Sequence, residues 1–121
     1  MASTSGRAGI VLPLGVLANS SSRYVRSLIR DEAHVIATVT LPPETFRPAE
    51  NGVQTGILFL RKKGGDHPPP DSVFRAVVKS VGYDHRERPI YRTVDGRREL
   101  VEDVSAVIAS WRTANEANKW F

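Results

Sequence analysis

The side chains able to do chemistry in this chain are few, and their spacing is the first constraint on function. Three histidines, His34, His67 and His85, stand far apart, at none of the i, i+4 spacings that put two imidazoles on one helical face for a metal. No cysteine joins them, which removes disulfides and thiolate metal sites. His34, at a strand entry, reads most simply as a surface or half-buried polar residue. Gly64-Gly65 lacks the helix that a phosphate-cradling loop needs after it, because a proline run and a strand follow. A Gly-x-Ser-x-Gly nucleophile elbow is absent. The carboxylate pairs Asp31-Glu32 and Glu102-Asp103 fall at expected helix ends, where solvated or capping roles account for them.

Pro42-Pro43 is a more instructive candidate. An Asn/Asp-Pro-Pro-aromatic turn can set a polar side chain and a backbone carbonyl against an amino group that is to be methylated. Here Leu41 precedes the prolines and Glu44 follows them. Leucine has no acceptor and glutamate has no ring to stack, so the pair reads as the end of a strand. No catalytic, cofactor-binding or metal-ligating residue is expected in the chain.

The elements that would position such residues follow from the apolar pattern. Gly9-Ile10-Val11-Leu12 is a short run that suits a strand buried on both faces. Ser20-Ser21-Ser22 offers N-cap hydroxyls to a helix whose Val25, Leu28 and Ile29 share a face. The β-branched stretch His34 to Leu41 predicts a central strand stopped by the prolines. Thr55 to Leu60 is a third apolar strand. The connection before it is short and has no helix, which favours an antiparallel return. A proline loop follows, then a strand over 73–81 with Phe74, Ala76 and Val78 on one face and Arg75 and Lys79 on the other. A charged turn at 84–89, a short strand at 90–94 and a tight turn at Asp95-Gly96 come next. Val104, Ile108 and Trp111 predict a C-terminal helix from about 100 to 113. The fold class is therefore α/β, with a strand pair and a C-terminal helix appended. The chain divides into a partial α/β unit (1–63), a basic loop and strand extension (64–98) and a helix with its tail (99–121).

At 121 residues the chain holds one domain at most. No apolar run approaches the roughly 20 residues of a membrane helix, and the N-terminus lacks the apolar stretch of a signal peptide. The cysteine-free composition suits a cytoplasmic bacterial protein. The net charge of +4 is concentrated: residues 61–99 hold ten Lys or Arg against six acids. A solvated mixed surface is one reading of that bias, and affinity for a polyanion such as DNA is the other.

Two blocks carry a family resemblance. The first is Gly6-Arg7-Ala8-Gly9-Ile10-Val11-Leu12-Pro13, Gly15-Val16-Leu17 and Tyr24-Val25-Arg26-Ser27-Leu28-Ile29. The second is Leu41-Pro42-Pro43-Glu44-Thr45-Phe46-Arg47-Pro48 with Gly52-Val53-Gln54-Thr55-Gly56-Ile57-Leu58-Phe59-Leu60-Arg61-Lys62-Lys63, and Val81-Gly82-Tyr83-Asp84 comes after it. Over residues 6–112 they resemble the adenine-specific (N-6) DNA methylase domain of modification subunits in type I restriction systems, C-terminal part only. The resemblance implies a Rossmann-like sheet in which 8–12, 34–41 and 55–61 are strands five, six and seven, the seventh antiparallel and inserted between the other two. It implies methyl transfer from S-adenosylmethionine to a flipped-out adenine, and specificity and restriction subunits as partners. Phe46, Asn51, Gly52 and Thr55 would border the target base, with core packing as the competing role for Phe46. Arg61, Lys62 and Lys63 would meet the DNA backbone.

The resemblance also places the family's glycine-rich cofactor turn and its Asn/Asp-Pro-Pro-aromatic turn ahead of Gly6, where Met1 to Ser5 leave no room. The expectation is a piece that is inactive alone and associates through residues 9–12 with an upstream half or a second copy. A non-enzymatic basic DNA-binding module and an orphan interaction protein are the competing readings.

Overall fold

The computed structural model describes residues 6–46, 54–64 and 68–121. Strand β1 (Arg7–Pro13) leads through a one-turn helix α1 (Leu14–Ala18) and a 3-10 turn at Ser20–Ser22 into helix α2 (Arg23–Glu32). Strands β2 (Ala33–Leu41), β3 (Thr55–Lys62) and β4 (Phe74–Val77) follow, then the hairpin β5 (Tyr91–Val94) and β6 (Arg97–Leu100), and helix α3 (Val104–Asn118). The main sheet has the order β1-β3-β2-β4. β3 is antiparallel to both β1 and β2, so those two run in the same direction, and β4 adds parallel to β2. The expected antiparallel insertion is thus the observed topology.

β2 is the strand with neighbours on both sides that its β-branched content predicts, with one irregularity. Val35 pairs with Leu60 and Ala37 with Phe59, which leaves Ile36 as the extra residue of a β-bulge. Ile36 has no exposed surface at all. The bulge reverses the alternation, so Thr38 and Thr40 share a face with Leu58, while Val39 and Leu41 share the other with Ile57 and Phe59. Gly9 lies opposite Phe59, and a Cβ there would come within 3.3 Å of the ring.

α3 covers the Val39–Phe59 face. Trp111 meets Phe74 edge to face at 5.5 Å and stacks on Trp120 at 5.5 Å and 15°. Lys119 ends the helix in a left-handed conformation. Asn115 then binds Phe121 twice, its Oδ1 accepting from the Phe121 amide and its Nδ2 donating to the Phe121 carbonyl. The turn drives Trp120 into the core, where it is 4% exposed.

Several expectations change. β1 is not buried on both faces: it is an edge strand paired only with β3, with Ile10 36% and Val11 48% exposed. Apolar sequence marks the strand, but burial requires neighbours that the described residues do not supply. The serine hydroxyls cap nothing, because a 3-10 turn precedes α2 and its Ser22 cap position makes no side-chain bond. The strand expected over 73–81 is shorter, Phe74–Val77, and joins the main sheet beside β2. That second strand pairs with β6 across Asp95-Gly96, both residues at positive φ as a tight hairpin turn requires. The C-terminal helix begins at Val104 and runs to Asn118.

Candidate functional site

The carboxyl ends of β1 and β2 meet at one residue. Thr55, the first of β3, lies opposite Pro13 on one side and Leu41 on the other. In open α/β sheets, ligands bind outside this edge of the parallel strands. The Thr55 Oγ1 is buried and has no hydrogen-bond partner among the described residues. A buried hydroxyl without a partner is costly, so its retention at this edge needs a reason.

Phe46 ends the 3-10 turn that follows β2. The Thr45 amide and Oγ1 both donate to the Pro42 carbonyl, and the Tyr83 hydroxyl donates to the Thr45 carbonyl at 2.8 Å. Phe46, at the end of this turn, is 44% exposed. Tyr83 is the brace that the sequence did not single out for a role. The one signal for it was the Gly82-Tyr83 pair, in which Gly82 takes a positive φ of 95°. Asn51 and Gly52, the other two expected members, lie outside the described residues, as does His67.

The basic triplet divides. The Arg61 side chain is buried: one terminal nitrogen donates to the Trp120 carbonyl at 2.8 Å and the other to the Pro68 carbonyl at 2.6 Å. It is an internal tie, and its guanidinium does not face a DNA backbone. Its register was the available signal, since Arg61 falls in phase with Ile57 and Phe59 on an apolar face. Lys62 is half-buried and Lys63 exposed. Further along, Arg92 pairs with Glu99, Arg88 with Asp84, and Arg98 lies over the Tyr91 ring at 4.1 Å, so much of the basic segment is answered locally.

His34, opposite Arg61, is shifted below the ordinary histidine range by burial first, then by the Lys63 and Arg61 charges. Its folded pKa lies below the unfolded value of 6.5, so the stability it contributes is present above that pH and is lost as pH falls through it. An NMR titration should place the imidazole midpoint below 6.5, with Lys63→Gln raising it only partway because burial dominates.

The described residues do not form an S-adenosylmethionine cradle. No glycine-rich turn joins a strand to a helix among the described residues. Among the described residues no cluster of His, Cys, Asp or Glu could hold a metal, and no helix is long and apolar enough to cross a membrane.

The fold of this chain is a mixed sheet with an antiparallel strand inserted between two parallel ones. It is similar to a crystal structure from Listeria monocytogenes assigned to the class I S-adenosylmethionine-dependent methyltransferases. The TM-score is 0.51 at 25% identity, over 60% of this chain and 22% of that one. The family model for N-6 DNA methylase matches residues 1–120, and the chain belongs to that family. No curated protein sequence matches it.

Proposed function

We propose that this chain is the acceptor-side part of a type I modification-type methyltransferase that moves a methyl group from S-adenosylmethionine to adenine N-6 in DNA. β1, β2 and β3 correspond in this reading to strands five, six and seven of the complete sheet. The observations that support it are the buried Thr55 hydroxyl, which has no partner among the described residues at the carboxyl edge of the sheet, and the exposed ring of Phe46 at the end of the turn that follows β2. A flipped base needs a surface to stack on and a polar group to read its edge. The cofactor-binding turn and the turn that grips the amino group come from another stretch of polypeptide. The free edge of β1, with Ile10 and Val11 exposed, is where that stretch adds its strand. Specificity and restriction subunits complete the assembly in the cytoplasm.

The test is calorimetric titration of S-adenosylmethionine with tritium transfer to adenine-containing duplex DNA. It compares the chain alone with the chain bound to a polypeptide holding both missing turns. Binding and transfer are expected only in the complex, and charged residues at β1 (Ile10→Lys with Val11→Lys) should block assembly seen by light scattering. Cofactor binding by the chain alone, or transfer to cytosine by the complex, would overturn the reading.

Thr55→Val separates the site from the scaffold. It keeps the shape and removes the partnerless hydroxyl, so the free chain should become more stable by about 1 kcal/mol, read from the urea midpoint. Transfer by the complex should fall. Phe46→Ala should leave stability nearly unchanged and lower adenine transfer by roughly tenfold, given about 1–3 kcal/mol for base stacking.

A further inference from the structure

The sheet face opposite α3 carries a cleft of about 810 Å³. α2 forms one wall and β4, with Val73 and Val77, the other, and Val35, Thr38, Thr40 and the buried Leu58 lie between them. Val77 is 59% and Val73 38% exposed, so this apolar surface is left uncovered by the described residues. Arg26 and Arg30 stand one turn apart on α2, and Arg75 faces them from β4, in register with Thr38 of β2. Arg26 is fixed in place, donating to the Val16 and Asn19 carbonyls at 2.9 and 2.7 Å. Among the described residues none of the three arginines is in an ion pair, and no carboxylate lines the cleft.

Three arginines that no described carboxylate pairs, beside the exposed Val73 and Val77, favour a ligand that is apolar on one side and anionic at its margins. Nucleic acid fits poorly. No aromatic side chain lines the cleft to stack on a base, and the exposed Val73 and Val77 give a nucleic acid backbone nothing to bond. We infer that this cleft docks an acidic amphipathic helix of a partner protein. Aliphatic side chains at i, i+3 or i+4 and i+7 of that helix lie on Val35, Val73 and Val77, and its flanking carboxylates meet Arg30 and Arg75. The ten residues of α2 give a wall of roughly 15 Å, which matches about three turns of the guest.

The test uses the full chain and a fluorescein-labelled synthetic helix with leucine on one face and glutamate on the others, followed by anisotropy. Micromolar binding that weakens with salt is expected, with a loss of about tenfold or more in the double variant Arg30→Glu, Arg75→Glu. Both arginines are exposed, so the fold should survive; Arg30→Gln with Arg75→Gln is the milder second variant, expected to weaken binding less. A lysine-for-glutamate version of the peptide should not bind. The inference is overturned by equal binding of the lysine peptide or by no binding of the acidic one at about 1 mM. It is also overturned by indifference to the arginine variants, or by duplex DNA that binds with the same sensitivity to them.

Discussion

Arg61→Ala should destabilise the chain by about 3–5 kcal/mol, counting one buried and one part-buried charge-assisted bond and the volume that the side chain fills. The guanidinium is 5% exposed and bridges two carbonyls distant in sequence, those of Trp120 and Pro68. Removing it leaves both carbonyls without that donor and opens space beside His34, which lies opposite on β2. Arg61→Lys should recover only part of the loss, because one ammonium cannot span two acceptors that a planar fork reaches together. Urea unfolding followed by tryptophan fluorescence is the measurement. An Arg61→Ala midpoint close to that of the parent would show that the tie is dispensable.

Trp120→Ala should cost about as much, roughly 3–5 kcal/mol for a large aromatic lost from a packed core. Trp120 is 4% exposed and stacks on Trp111, while Phe74 meets it at 6.5 Å. Its neighbour Phe121 sits at 5.8 Å from Trp111 and under the Arg7 guanidinium at 5.1 Å, which links the tail to β1. The loss therefore extends beyond one side chain. Since Arg61 bonds the backbone carbonyl of Trp120, the two substitutions disturb one unit. Their combined cost should fall short of the sum, and a double-mutant cycle measures the difference. Full additivity would mean that the tail and the tie act independently.

The two ties hold the face of the sheet that α3 covers, and neither touches Phe46 or Thr55. Stability and acceptor binding should thus be separable by mutation. Thr55→Val and Arg61→Ala are expected to move stability in opposite directions.

The local pattern determined the strands at 7–13, 33–41 and 55–62 to within a few residues, because apolar and β-branched runs bounded by prolines and charges need no distant partner to be recognised. It also determined that β3 returns antiparallel, since the connection before it leaves no room for a crossover. Which residues are buried was a tertiary decision. Ile10 and Val11 read as core yet lie on an open edge, and Arg61 reads as a surface cation yet closes the core. The bulge at Ile36 depends on pairing with β3, and no alternation within β2 could reveal it. The same holds for the site and the cleft. Thr55 comes to lie between Pro13 and Leu41, and Arg75 comes to line one cleft with Arg30, only in the folded sheet, because strand pairing joins residues by register and not by distance along the chain.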